Sequence, residues 1–491
     1  MARPLVLIHG YSAGGLDFAP LRNALAAGGV AATDINVCNY VSLNNEITIK
    51  DIAEGLERAF QNRDVLRDRD GEKEFDAIVH STGMLVLRAW LTNGGIPASN
   101  NGRLKRLKHL IGVAPATWGS PQAHKGRTWL GALVKGNKTP GPDFMNAGDR
   151  ILEGLELGST FTWDLAHIDL LGAEPYYDKT NDTPYAAVFI GNTPYSGIAS
   201  VANDPGTDGT VRWAGCGLNT RKITIDLTRK PVDARGLPME RATISPWADQ
   251  RLDVPIIAVD GRTHATLISD PEEGMVRRIL DFLKIGDDGG KTFDEWRADA
   301  KQYGDKGVKK MLVNPGAEAA GLIGESKAWF DHLLGREVGP EMEGWQQFVV
   351  RARDERGDGV SDYMIEVLKK AGDKWVSFEE MYTDVHAYGP DPSYRCFHIR
   401  VPKDISSGQI PLKVRIHAST GTGLMAYQGY GDQTIELDAN SAPVELDLSA
   451  MNKPGSTLFH PFTTTLIDIV LNREPIPFKK VSEILTWVEL T

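Results

Sequence analysis

The stretch FDAIVHSTGMLVLRAW, residues 75–90, runs as a strand pattern, breaks on His-Ser-Thr-Gly and resumes as a helical pattern. It divides into a strand Phe75–His80, a turn Ser81–Gly83 and a helix continuing through Met84–Leu91. A sharp strand-to-helix turn lifts the hydroxyl at its apex off the top of a sheet and brings the next backbone N–H near the helix N-terminus. A serine hydroxyl is a poor nucleophile unless it is held exposed beside a base, and such a turn does the exposing. The plain alternative is that Ser81 only caps the helix that follows it. Gly83 gives the neighbouring backbone room after the serine; Val79 stands where a second glycine would give it room before.

Around this stretch, up to about residue 285, short apolar strands alternate with helical segments. The strands are Leu5–His9, Asp34–Tyr40, Phe75–His80, His109–Pro115, Tyr185–Asn192, Ile223–Leu227 and Val254–Asp260; Ile49–Arg67 is one of the helical segments. Strands apolar on both faces and separated by helices predict a mostly parallel sheet covered on both sides, in the α/β class. Residues 116–180 interrupt the rhythm with a Gly- and Trp-rich, partly helical insertion of the kind that serves as a lid or simply pads a fold. Its apolar residues, Trp118, Trp129, Leu130, Leu133, Phe144, Leu152, Leu155, Phe161 and Trp163, either pack on the sheet or line an acyl pocket.

Residues 286–340 read as a charged, partly helical connector. From there to residue 491 the period becomes two: PLKVRIHAS places Leu412, Val414, Ile416 and Ala418 on one face and Lys413, Arg415 and His417 on the other. Several such strands bounded by Gly, Pro, Asn and Asp turns predict a β-sandwich over 341–491. For this domain the expectations are rigid packing or docking to a lipid or polymer. The length of 491 residues suits more than one domain.

The formal net charge of −11 leaves no basic footprint, so nucleic acid is not an expected partner. No apolar run reaches the ~20 residues of a membrane span. The opening MARPLVLIHG lacks the long apolar core of a signal peptide, which makes cytoplasmic residence the expectation, with secretion open if a leader has been removed. Cys38, Cys216 and Cys396 are far apart, forming neither a disulfide framework nor a metal-ligand spacing. The histidines show no His-x₃-His or similar spacing, and the glycine-rich STGTGLMAYQGYG lacks the strand, helix and lysine of a phosphate loop. No metal and no cofactor is therefore expected.

Two further segments bear on Ser81. PLVLIHGYS is an apolar strand ending in His9-Gly10, where the backbone can approach a site closely, and IIAVDGRTHATLI places His264 just beyond the strand ending at Asp260. An acid is available in VANDPGTDGTVRWAG: Asp208 precedes Gly209 and the apolar Val211–Trp213, whereas Asp204 precedes Pro205 and reads as a turn residue. Asp260 is the third candidate. His80 is expected to pack or hydrogen-bond behind the serine, while His124 and His167, in the insertion, are candidates for the pocket wall.

Together LVLIHGYS, VHSTGMLV, TDGTVRWA and GRTHATLI resemble an α/β-hydrolase of the lipase and carboxylesterase type, over about residues 1–285. The resemblance implies a triad in the chain order Ser81, Asp208, His264, with oxyanion donors from the backbone of Tyr11 and Thr82 and a supporting turn of His9, Gly10, His80 and Gly83. It departs from the Gly-x-Ser-x-Gly signature at Val79, and no sheet strand precedes LVLIHG. The activity it implies is hydrolysis of carboxylic esters or lipids through an acyl-enzyme. An acyltransferase or phospholipase-like hydrolase with the same triad, and a catalytically dead scaffold used for binding, are the alternatives.

Overall fold

The computed structural model describes residues 3–127, 148–313 and 342–475, apart from 12, 68–72, 178, 180–182, 196–202, 230–232, 238, 240, 245–251, 379–380, 407–409, 423, 429–443 and 449–457, together with 484, 485 and 487–490. Trp129, Leu130, Leu133 and Phe144 of the insertion, and much of the connector, lie outside the described residues.

Strands β1 (Leu5–Ile8), β2 (Ile35–Cys38), β3 (Phe75–His80), β4 (Leu107–Val113) and β5 (Tyr185–Gly191) come first in the chain. Next are β6 (Thr220–Asp226), β7 (Ala242–Ile244) and β8 (Ile256–Val259). Six of them form one sheet in the order β2-β1-β3-β4-β5-β8, every pair parallel. β1 and β3 are buried at every residue, as strands covered on both faces must be. Helices α1 (Ala19–Ala27), α2 (Ile49–Gln61) and α3 (Gly83–Leu91) connect the early strands. Thr48 starts α2 by accepting from the Asp51 amide, while Asp51 accepts from the Thr48 amide in return.

α3 is buried along its whole length, including Arg88. A guanidinium there must be paired, and it is: Nε and Nη2 donate to the two oxygens of buried Asp169 at 2.7 and 2.9 Å, and Nη1 donates to the Thr117 carbonyl at 2.8 Å. Tyr177 adds a hydroxyl donor to Asp169. Removing one side of such a pair strands the other charge and costs about 3–5 kcal/mol, so Arg88 ties α3 to the helix Thr160–Asp169 of the insertion. Trp118, Leu152, Leu155 and Trp163 of the insertion are buried. Phe161 is half-buried and lines a cavity of about 380 Å³ with Lys50, Ala53, Ala89 and Leu165.

The first compact unit comprises residues 1–220, 250–339 and 462–464, and the second residues 221–249, 340–461 and 465–491. Neither unit is continuous in the chain. The connector helix Phe293–Val313 belongs to the first unit, where Trp296 and Ala300 join the sheet's core. Ile223–Leu227 was expected in the parallel sheet, yet β6 joins the second unit's larger sheet. Its burial alternates, with Ile223 and Ile225 in and Lys222, Thr224 and Asp226 turned out, which is the pattern of a strand covered on one face only.

The second unit contains β9 (Met342–Asp354), β10 (Tyr363–Ala371), β11 (Lys374–Ser377), β12 (Tyr382–Ala387), β13 (Tyr394–Pro402), β14 (Leu412–Ala418), β15 (Met425–Gln428), β16 (Val444–Asp447) and β17 (Thr463–Pro475). One sheet runs β11-β10-β14-β16; the other runs β12-β13-β9-β17-β6-β7, with β15 on β17. They bury a shared apolar core that includes Val350, Ile399 and Ile469 from one sheet and Leu412, Val414 and Ile416 from the other, a β-sandwich. On the outer face Arg415 bridges Glu366 and Glu445 of the flanking strands.

No helix among the described residues is long and apolar enough to cross a membrane.

Candidate active site

In the parallel sheet, β1 connects to β2 on one side, whereas β3, β4 and β5 follow on the other. The chain therefore diverges between β1 and β3, and in open α/β sheets the crevice outside the strand C-termini at this point is where ligands bind. The residues that end these two strands are His9-Gly10 and His80-Ser81.

Ser81 has φ of 55°, a left-handed conformation that a non-glycine residue holds only when its surroundings impose it. Several contacts impose it. The Ser81 amide donates to the Val113 carbonyl, and the Ser81 carbonyl accepts from Met84 and Ala116. Neighbouring backbone passes close by: a Cβ on Gly83 would lie 2.5 Å from the Ile8 carbonyl oxygen, and one on Gly10 would lie 2.6 Å from the Ser81 Cβ and 3.1 Å from its Oγ. Val79 stands where a glycine was expected. It pairs with Gly112, and paired positions share a face; a Cβ on Gly112 would meet Pro115 at 2.8 Å and Met84 at 3.0 Å.

Asp208 is fully buried and both oxygens of its carboxylate have partners. Oδ1 accepts from the amides of Thr210 (3.0 Å) and Val211 (2.9 Å), and Oδ2 faces His264 Nδ1 at 3.0 Å. The His264 amide also donates to the Asp208 carbonyl at 3.0 Å, so ring and backbone are both registered on one residue. Gly209 makes the loop possible, with φ of 97° and Tyr195 ring atoms 2.5 Å from where a Cβ would be. Trp213 anchors the far side through Nε1 to the Gly191 carbonyl at 2.9 Å. The other two candidate acids stand elsewhere. Asp260 accepts from Asn192 and pairs with Lys306 and Lys310, which hold its carboxyl well below the usual range. Asp204 offers its carbonyl to the Thr207 hydroxyl.

His80 lies behind the turn. Its Nε2 donates to the His264 carbonyl at 3.1 Å, its ring centroid is 4.6 Å from that of His264, and its Nδ1 is buried with no partner among the described residues. Burial first, and then the neighbouring His264, pushes its pKa down from 6.5 to about 3. A depressed histidine favours unfolding when protonated, so its contribution to stability is whole above pH 6.5 and is lost progressively toward pH 3. At pH 5 the loss amounts to about 2 kcal/mol. Urea unfolding at pH 7 and pH 5 should show wild type losing about that much more than His80→Gln; equal losses would remove His80 from the acid response.

At the other wall, His9 is buried and its pKa is lowered by that burial. The Thr82 amide has no acceptor among the described residues, and Tyr11 follows Gly10 in the loop against Ser81. His109, which the sequence placed at the start of a strand, is a buried structural residue contacting Asp76 and the Ile285 carbonyl. His167 donates to the Trp163 carbonyl one turn back, and His124 lies 3.4 Å from Glu156. Sequence reasoning missed Arg88 and Tyr40. A lone arginine inside the apolar LVLRAWL was the available signal for the first; nothing local marked the second.

No family model matches the sequence, and no curated protein does. Solved structures similar to this one include phospholipase PlaB from Legionella pneumophila in complex with thio-NAD, at 19% identity and a TM-score of 0.69, covering 100% of this chain and 98% of that one. A second structure of phospholipase PlaB from the same organism gives 19% identity and a TM-score of 0.68 over the same shares. The likeness is one of fold, along both units. The chain has an α/β-hydrolase fold extended by a C-terminal β domain, and it shares that architecture with phospholipase PlaB.

Proposed function

We propose that this protein is a serine hydrolase that cleaves carboxylic esters of lipids. The observation that carries the reading is the His264–Asp208 pair, 3.0 Å apart, with the His264 ring 4.6 Å from that of His80, the residue before a serine that holds a φ of 55° between a strand and a helix. In this reading His264, with its proton on Nδ1 toward Asp208, uses Nε2 to take the proton of Ser81 as Oγ attacks the ester carbonyl carbon. The carbonyl oxygen becomes an oxyanion held by the amides of Tyr11 and Thr82. His264 returns the proton to the departing alkoxide, leaving Ser81 acylated. Water, deprotonated by the same nitrogen, then releases the acid and restores Ser81. Asp208 holds the imidazole in the required tautomer and stabilises its cation without itself being protonated.

A phospholipid is the substrate class we favour, because the fold likeness to a phospholipase runs through the C-terminal β domain as well as the hydrolase unit. The β domain would dock the lipid surface. The test compares fatty-acid release from phosphatidylcholine and phosphatidylglycerol vesicles with cleavage of p-nitrophenyl butyrate by the full chain. Release from vesicles supports the lipid reading, cleavage of the soluble ester alone reduces it to an esterase, and inactivity on both overturns it.

A further inference from the structure

β1 and β2 pair in parallel with Ile8 opposite Cys38, so the segments leaving their C-terminal ends run side by side. Tyr40 uses that adjacency three times. Its amide donates to His9 Nε2 at 3.1 Å, its hydroxyl donates to the His9 carbonyl at 2.9 Å, and its ring stacks on the imidazole with centroids 4.1 Å apart and planes 8° from parallel.

The first of these bonds fixes a tautomer. An Nε2 that accepts a hydrogen bond carries no proton, so a neutral His9 is protonated on Nδ1. That nitrogen lies 2.7 Å from the Gly10 carbonyl oxygen and donates to it. The Gly10 oxygen and the Tyr11 N–H are opposite ends of one planar trans peptide. Holding the oxygen therefore sets the direction of the N–H. This peptide lies against the nucleophile turn: Gly10 has no room for a Cβ beside Ser81, and the His9 carbonyl gripped by Tyr40 would stand 2.9 Å from a Cβ on Gly83.

We infer that Tyr40 is a positioning residue, acting through His9 to aim the Gly10–Tyr11 peptide so that the Tyr11 N–H points at the oxyanion. The inference rests on the reading of Tyr11 as an oxyanion donor. Tyr40 touches neither Ser81 nor the substrate in this role; it replaces the solvent as the partner of His9 and denies the loop its alternative peptide orientations. The amide bond to Nε2 comes from the backbone and survives substitution, while the hydroxyl bond and the stacked ring do not.

The experiment uses Tyr40→Phe, which removes only the hydroxyl bond, and Tyr40→Leu, which also removes the stacked ring. Each full-length variant is assayed on p-nitrophenyl butyrate and titrated with an alkyl boronic acid, whose tetrahedral adduct with Ser81 places an oxygen where the oxyanion forms. Loss of an oxyanion donor costs about 10²–10³ in kcat, and loosening one should cost less. The expected result is a fall in kcat of about 5-fold for Tyr40→Phe and about 30-fold for Tyr40→Leu, with KM unchanged. The boronate affinity should fall in step with kcat. Unchanged kcat and boronate affinity in Tyr40→Phe would overturn the inference, as would a fall in kcat with no loss of boronate affinity. Should Tyr40→Leu not fold, Tyr40→Phe decides alone. If wild type hydrolyses no ester or Ser81→Ala stays active, it is the hydrolase reading that fails; if both behave as expected and Tyr40→Phe matches wild type, only the role of Tyr40 does.

Discussion

Ser81→Ala is expected to lower kcat for ester hydrolysis by about 10⁴-fold or more. The change deletes one oxygen and leaves the Ser81 hydrogen bonds to Val113, Met84 and Ala116 in place, because they are all made by its backbone. Alanine must still adopt φ near 55°, as serine does, so little additional strain enters. The residual rate would come from binding and the oxyanion donors alone. Steady-state kinetics on p-nitrophenyl butyrate, with thermal unfolding as the control for folding, check this. A variant that keeps more than a few per cent of kcat and melts with wild type would remove Ser81 as nucleophile.

Asp208→Asn should cost about 10⁴-fold in kcat at neutral pH. The Thr210 and Val211 amides require an acceptor at Oδ1, so the asparagine must turn its oxygen to them and its NH₂ to His264 Nδ1. A donor in that place forces Nδ1 to accept and moves the imidazole proton to Nε2, where it can no longer take the Ser81 proton. Shape and volume are nearly kept, so the melting temperature should change little while kcat collapses. Parallel variants sharpen the result. Asp204→Asn should leave kcat within a few-fold of wild type, and so should Asp260→Asn, whose carboxylate serves Asn192, Lys306 and Lys310. Loss of activity in Asp260→Asn with retention in Asp208→Asn would reassign the acid.

Much of the fold was legible because its signals are local. The continuous apolar runs of β1 and β3 named a sheet covered on both faces, and the alternation in PLKVRIHAS named a strand covered on one. Even β6 carried its own signal in the alternation of Ile223 and Ile225 with polar neighbours. It sits between β5 and β8 in the chain, yet it pairs in another sheet. Period is a better guide to its sheet than position along the chain.

The sequence by itself determined the strand–turn–helix around Ser81, the close-approach glycines at 10 and 83, and the short set of acids that could serve His264. These follow from properties of a few adjacent residues: periodicity, turn chemistry and the absence of a Cβ. Only the tertiary structure decided that Asp208 is the carboxylate on His264, that Gly112 on the next strand makes room for Pro115 and Met84, and that Arg88 is neutralised by Asp169. It also brought Tyr40 onto His9. Each of these joins residues that are distant in the chain and adjacent only through sheet order. Such pairings are selected by the cost of burying a charge or a polar group without a partner, which no local window can evaluate.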